Sequence, residues 1–277
     1  MSRDARKHIA EDTLQILEQG YFVTPTNKTI EIKDLQTQCE ANTKVYKPEE
    51  SDELLRIRTP NLLDVSTKIK VTNQTTLDAV RDLIGEGNED VLCLNFASAK
   101  NPGGGFLGGS QAQEESLARS TGLYKSLLKA DAYYETNRNT KSCFYTDYMI
   151  YSPNVPIIKD EEGVNIEVRM SCGIITAPAV NAGVVKRRES HRVSEIEAVM
   201  KRRIAKVLTI ALAHEHQTIV LGAWGCGVFQ NNPNEMAKYF REVIEGEFKG
   251  EFRTIVFAIY ARNERFINPF YAEFGKK

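Results

Sequence analysis

The stretch from Leu92 to Leu128 constrains this chain more than any other. An apolar run, Leu92-Cys-Leu-Asn-Phe-Ala97, leads into Ser98 to Gly109, which holds five glycines, and then into helix-spaced residues from Ser110 to Leu128. That order reads as a strand, a loop with little side-chain bulk, and a helix. Gly103, Gly104 and Gly105 permit positive φ and let a ligand approach bare backbone. Gln113, Glu114 and Glu115 then set an amide and two carboxylates beside that surface. A plainer reading is available, since Ser110-x-x-Gln113 fits a capping box and acids suit the start of a helix. Gly103, Gly105 and Gly108 also satisfy G-x-G-x-x-G literally. A dinucleotide site, however, offers a pyrophosphate the positive helix end, and here two carboxylates occupy it. Asp131, at the spacing of the ribose-binding acid, sits in a polar, helix-like segment rather than at the end of a strand.

The rest of the chain supplies the sheet that such a unit needs. Residues 4–20 read as a helix stopped by Gly20, followed by short strands at Tyr21–Val23 and Thr29–Ile32 and short helices at Asp34–Asn42 and Pro48–Leu55. From Lys68 strands and helices alternate: strand Lys68–Thr72, helix Thr75–Ile84, strand Val91–Phe96, and a helical continuation from Thr121 to Arg138. Strands at Met149–Ile158 and Ser171–Ala177 flank an acidic turn, and one long helix spans 187–216. Strand Thr218–Leu221, a helix from Asn234 to about Glu245 and strand Arg253–Tyr260 complete the series. The alternation implies an α/β sheet covered on both faces.

Composition excludes several classes. Thirty-six basic against 37 acidic side chains leave a net charge of −1, so no global field marks a nucleic-acid binder. No apolar run approaches the roughly 20 residues of a membrane span, and the N-terminus has no signal-peptide pattern. Five scattered cysteines without C-x-x-C read as reduced thiols of a cytosolic or nuclear protein.

A second glycine-rich loop, Gly222 to Phe229, follows strand Thr218–Leu221 and leads into a helix. Ligands in open α/β sheets collect at the carboxyl ends of strands. Backbone amides around Gly225 and Gly227 there can form an anion nest beside the next helix. Cys226 lacks a sequence-placed partner to activate it and reads as a small buried filler. His214-x-His216, if helical, sends its rings to different faces, so no metal site is expected. His8 and His191 fall in charged stretches, and Lys186-Arg-Arg188 and Lys201-Arg-Arg203 read as solvated helix faces.

Gly103-Gly104-Gly105, seven residues and then Gln113-Glu114-Glu115 resemble the GGG-x(6–8)-QEE signature of poly(ADP-ribose) glycohydrolases. Asn95 to Gly103 is similar to the bacterial-type branch in particular. The resemblance runs from about residue 1 to 274, with its diagnostic part at 91–124 and support from 219–233. It implies a macrodomain-like three-layer α/β/α fold with a mixed central sheet. An N-terminal helical flank, 1–60, would pack on a catalytic domain, 61–277. It also implies hydrolysis of ribose–ribose O-glycosidic bonds without cofactor or metal. Poly(ADP-ribose) or an ADP-ribosylated macromolecule would be the substrate, ADP-ribose the product, and no membrane a partner.

On the family pattern Glu115 is the acid that protonates the leaving ribose oxygen and then activates water. Glu114 holds ribose hydroxyls, and Gln113 supports the pair. Asn101, Gly103, Gly104 and Gly105 line the ligand from the first loop. Gly225, Cys226, Gly227, Val228 and Phe229 line it from the second, with Phe229 against the ribose next to the scissile bond. Burial and a second negative charge raise a carboxyl pKa, so one of the pair can keep a proton near neutrality. Two alternatives remain open on the residues alone. One is a macrodomain that binds ADP-ribose without cleaving it, which has no need of Glu115. The other is a hydrolase that frees ADP-ribose from a protein or nucleobase acceptor.

Overall fold

The computed structural model describes residues 1–63 and 66–275, so the range 61–277 includes four residues, 64, 65, 276 and 277, that lie outside the described ones. The strands are β1 (Tyr21–Val23), β2 (Thr29–Glu31), β3 (Lys44–Tyr46), β4 (Lys68–Thr72), β5 (Val91–Phe96), β6 (Met149–Lys159), β7 (Asn165–Ala177), β8 (Thr218–Leu221) and β9 (Thr254–Ala258). The helices of the first half are α1 (Arg3–Gln19), α2 (Lys33–Asn42), α3 (Pro48–Ile57), α4 (Thr76–Gly85), α5 (Gln113–Ser120), α6 (Leu123–Leu127) and α7 (Asp131–Asn139). Those of the second half are α8 (Ala182–Arg188), α9 (Ile196–Ala213), α10 (Pro233–Glu245) and α11 (Asn268–Phe274).

Seven strands form one sheet in the order β3-β6-β7-β5-β8-β9-β4, and β1 pairs with β2 apart from it. Strands β7, β5, β8, β9 and β4 are mutually parallel, while β6 runs antiparallel to both β7 and β3. The sheet is therefore mixed. Residue alternation sorts its two faces cleanly. Leu92, Leu94, Ile219, Leu221, Ile255 and Phe257 point to one side, where they meet α9, α10 and α11. Val91, Cys93, Val220, Val256 and Ala258 point to the other, against residues of α1, α2, α4, α5, α6 and α7. A parallel strand covered on both faces has to be apolar throughout, which is why β5 reads as a continuous hydrophobic run. Full burial of Leu92 and Leu94 contributes about 1.5–3 kcal/mol each. The three-layer mixed α/β architecture follows the expectation.

Three segments differ from the sequence reading. Lys44–Tyr46, inside the flank, is the edge strand of the central sheet, in register with Met149–Tyr151. The helix expected to continue from Thr121 to Arg138 is broken in two places. Thr121 is extended (φ −140°, ψ 173°) and bridges to Ile157, and a second break at Leu128–Ala130 separates α6 from α7. The single helix expected over 187–216 is also divided. Glu189 leaves helical geometry to accept hydrogen bonds from Ser142 Oγ and Cys143 N, a 3₁₀ segment spans Ser190–Glu195, and α9 ends at Ala213. No helix among the described residues is long and apolar enough to cross a membrane.

Candidate active site

Strands β5 and β8 pair only through Val91–Cys93 and Thr218–Val220, whereas β5 stays paired with β7 as far as Phe96. The carboxyl end of β5 therefore has open backbone groups on its β8 side, and Gln113 fills them. Its Oε1 accepts from Phe96 N at 2.8 Å, while Nε2 donates to Leu94 O at 2.8 Å and to Thr76 Oγ1 at 3.1 Å. The amide thus locks the first turn of α5 to β5 and to the start of α4. The expected capping box does not form: Ala112, not Ser110, is the N-cap, and it makes no side-chain cap bond. Gln113 is used to fix the helix in space instead.

That fixation sets the two carboxylates. Glu114 is buried, with Oε2 accepting from Ser98 N at 2.6 Å and Oε1 from Asn95 Nδ2 at 3.3 Å. Glu115 is half-buried and accepts from Gly105 N at 2.9 Å. The glycine loop lies directly on both. Gly103 and Gly104 have φ of +66° and +59°, and a Cβ on Gly104 would overlap the Glu115 carboxylate and stand 3.2 Å from Glu114 Oε2. Only glycine lets backbone run that close to the acids.

Burial pushes the Glu114 carboxyl up to about 8; the neighbouring Glu115 charge adds to this and the bonds from Ser98 and Asn95 oppose it. Glu114 therefore keeps its proton near neutrality. Asn95 carries a buried amide oxygen without a partner among the described residues. Rotating that amide by a half turn presents the oxygen to Glu114, and a neutral carboxyl has the proton to bond it.

The second loop is built on an opposite plan. The amides of Trp224, Cys226, Gln230 and Asn231 bond back to Gly222, Ala223, Gly227 and Gly225 carbonyls, respectively. Those of Gly225, Gly227, Val228 and Phe229 have no partner among the described residues. Gly225 (φ +73°) is required, because a Cβ would crowd Ala179 and Asn231 at 2.6 Å. Gly227 has open space around it, and Val228 stands in solvent. Trp224 and Cys226 are buried, so they hold the loop from beneath. Phe229 is half-buried, its ring 5.8 Å from that of Tyr145, a residue held at φ +56°. A positive φ is costly for a bulky residue and is found where function fixes the backbone.

A cavity of about 550 Å³ opens between the loops, lined among others by Thr76, Gln113, Gly227, Ile259, Tyr260 and Phe266. Glu114 and Glu115 do not line it, so it lies beside the acids rather than over them. A second cavity, of about 410 Å³, lies at the amino end of β8 among Leu54, Arg58, Thr209 and Glu251, away from the acids. The chemistry favours the first as the ligand chamber.

Of the residues singled out in the sequence, the first group (Gly103, Gly104, Gly105, Gln113, Glu114, Glu115) is brought together in one cluster, with Asn101 exposed at its edge. Gly225 to Phe229 form the facing lip of the cavity through Cys226 and Gly227. His214 and His216 were expected on different faces of a helix. The helix stops at Ala213, and both rings converge on Tyr151: His214 stacks on it at 3.7 Å between centroids and His216 Nε2 lies 2.8 Å from its hydroxyl. No group of three or more His, Cys, Asp or Glu placed to hold a metal exists among the described residues. The solvated-face reading also fails for Arg203, which is buried with its guanidinium on Asp147, Pro178 O and Phe144 O.

Several contributors escaped the sequence reading. Asn95 and Ser98 fix Glu114, and the one signal was a polar residue at the end of an apolar strand. Thr76 holds Gln113. From the first helix, Arg3 Nε donates to Gly108 O and Arg6 Nε to Gly109 O, each at 2.8 Å, which fastens the far end of the glycine loop. Nothing in the local pattern announces those two arginines.

Comparison with known proteins agrees with this geometry. The model of the microbial-type PARG catalytic domain matches residues 10–160. No curated protein sequence matches the chain. Among solved structures, poly(ADP-ribose) glycohydrolase from Thermomonospora curvata is 40% identical, with a TM-score of 0.94 over 98% of this chain and 100% of that one. The same enzyme bound to the inhibitor ADP-HPD is also 40% identical, with a TM-score of 0.91 over 98% and 100%. Poly(ADP-ribose) glycohydrolase from Deinococcus radiodurans in complex with ADP-ribose is 41% identical, with a TM-score of 0.82 over 88% of this chain and 98% of that one. With its glycine loop seated on paired carboxylates at the end of β5, the chain belongs to the microbial-type poly(ADP-ribose) glycohydrolase family.

Proposed function

We propose that this chain hydrolyses the ribose–ribose O-glycosidic bonds of poly(ADP-ribose) and releases ADP-ribose. The observation that carries the reading is the carboxylate pair under a glycine loop, with Glu114 buried and Glu115 bonded to Gly105 N at 2.9 Å. The nucleoside would occupy the cavity beside Gln113. The diphosphate would lie on the open amides of Gly225, Gly227, Val228 and Phe229. The scissile ribose would rest between Phe229 and the acids, with Asn101 at the rim. This arrangement accounts for why one loop packs its backbone against side chains and the other leaves its backbone free. Solved relatives in complex with ADP-ribose and with ADP-HPD support the choice of ligand.

The chemistry then follows a balanced course. Glu115 gives a proton to the departing ribose oxygen as the anomeric C–O bond breaks through an oxocarbenium-like state. Water attacks the anomeric carbon and returns a proton to Glu115, so the products are two hydroxyls and the net reactant is one water. Glu114, neutral near pH 7, bonds ribose hydroxyls without adding a second negative charge to the cleft. Substrate seated on the loop excludes water from Glu115, which strengthens each of these interactions.

The same reading treats 1–60 as a flank that lends β3 to the sheet and 61–277 as the catalytic domain. It places the protein in the cytoplasm, in keeping with five unpaired cysteines. Incubating pure protein with poly(ADP-ribose) and separating the products by chromatography tests the proposal. Free ADP-ribose is expected from wild type and not from Glu115→Gln. Binding of the polymer without release would identify a reader of ADP-ribose. Release only from a mono-ADP-ribosylated protein or nucleobase would move the scissile bond to another acceptor.

A further inference from the structure

Six cations meet on the surface between the two loops of the site. Lys186, Arg187 and Arg188 form the last turn of α8, and all three are exposed. Lys100 follows the first strand–loop junction, while Arg138 and Lys141 come from the end of α7 and the segment after it; these too are exposed. None of the six has a carboxylate partner among the described residues. The contrast with α9 is sharp, because Lys201, Arg202, Arg203 and Lys206 there are all paired with acids.

Hydrogen bonds join the three segments. Gly183 N donates to Phe229 O at 3.0 Å, so α8 starts on the second loop. At about 1.5 Å of rise per residue, its basic turn lies within roughly 10 Å of that point. Asn181 N donates to Cys143 O at 2.9 Å and Ser142 Oγ to Glu189 at 2.6 Å, which lays the Lys141 segment across α8. Arg138 Nε donates to Lys100 O at 2.9 Å, three residues before the loop glycines begin at Gly103. Glu189, next to Arg188 in the chain, is occupied by Ser142, Cys143 N and Arg192.

We infer that this surface is a docking track for the part of a poly(ADP-ribose) chain that lies beyond the unit held in the cleft. The inference rests on the glycohydrolase reading for the identity of the polymer. Helix-end cations on α8 already gain from the macrodipole, about 0.3–1 kcal/mol each, without any ligand. That explains one turn of one helix. It does not explain why Lys100, Arg138 and Lys141 arrive on the same surface from two other segments and also remain unpaired. A chain with a diphosphate in every repeat supplies the complementary charge, at a spacing that starts where the second loop ends. The protein as a whole carries a net charge of −1, so its overall charge does not supply this attraction.

The test compares size-fractionated long poly(ADP-ribose) with its two-unit oligomer, at low and high salt. Neutralising the α8 turn (Lys186→Gln, Arg187→Gln, Arg188→Gln together) should lower kcat/KM on long chains about tenfold at low salt and clearly less on the two-unit substrate, which has a single unit beyond the cleft. It should also flatten the salt dependence on long chains, since each phosphate left unneutralised takes about 0.7 off the log–log slope. Equal losses on both substrates, or no loss on long chains, would overturn the track. A parallel anisotropy titration of labelled long and short chains, on a Glu115→Gln background with and without the three changes, reads affinity without turnover. Length-dependent binding that vanishes with the α8 changes upholds the track even if wild type proves unable to hydrolyse the polymer. Length-independent binding refutes it whether or not hydrolysis occurs.

Discussion

The two glycine-rich loops use the same residue for opposite ends. In the first, glycine is needed because the backbone lies against side chains: a Cβ at Gly104 would collide with Glu115, and one at Gly105 would stand 2.5 Å from Ser110 Oγ. The second keeps Gly225 for a tight turn but leaves Gly227 in open space, and four of its amides have no partner among the described residues. One loop is a frame that holds acids at fixed positions. The other, on the proposed reading, is a receptor made of backbone dipoles. Catalysis by proton transfer demands the first, because reach and orientation decide its rate; anion recognition demands the second.

The comparison can be broken most directly at Glu115. Glu115→Gln should lower turnover by about 10²- to 10⁴-fold, the usual worth of a general acid, with ADP-ribose affinity within a few-fold by calorimetry. Activity near wild type would end the assignment. Next in size is Gly104→Ala, which drives a methyl into both carboxylates at a φ of +59° and should cost about 10²-fold in kcat through misplacement.

Gly227→Glu sharpens the contrast, because there a side chain fits. The melting temperature should hold while ADP-ribose binding falls by roughly 10²-fold, as like charges meeting across an interface cost several kcal/mol. Unchanged affinity would mean the diphosphate lies elsewhere. Phe229→Ala should lower kcat about tenfold, more than it weakens binding, if the ring orients the ribose. A large drop in melting temperature with proportional loss of binding would instead make Phe229 an anchor for the loop.

The smallest effect concerns stability. Folded Glu114 keeps its proton up to about 8, whereas the unfolded chain releases it near 4.5. Between those values the folded state binds more protons, so this group's contribution is full below 4.5 and is lost as pH rises through 8. Glu114→Gln removes the dependence, and its melting temperature should fall a few degrees less than that of wild type between pH 5 and pH 9. Parallel curves for the two proteins would contradict the burial argument.

How much of this was legible in the sequence depended on distance along the chain. Gly103 to Glu115 lies within one strand–loop–helix unit, so its spacing could be set beside the family signature, and β5 was plain from its unbroken apolar run. The second loop was visible for the same reason. What stayed hidden was made by remote partners. A three-residue strand such as Lys44–Tyr46 is too short to show a period, and it exists because β6 offers an open edge. Arg203 looked like a surface cation because its partner, Asp147, lies 56 residues earlier. Gln113 looked like half of a capping box, and its actual role appeared only once β8 was seen to part from β5. His214 and His216 were misread because the pattern of α9 did not mark its end.

The arginine bonds from α1 give the site a history as well as a shape. Arg3 and Arg6 close contacts with Gly108 and Gly109 over 105 and 103 residues of intervening chain. Contacts of such high sequence separation form late, after the entropy of closing the loop between them has been overcome. Helix α1 must therefore wait for strand β5 and the glycine loop before it can dock. Catalytic competence should mature after the sheet does, as a last, separately measurable phase of refolding in which activity lags behind the recovery of secondary structure.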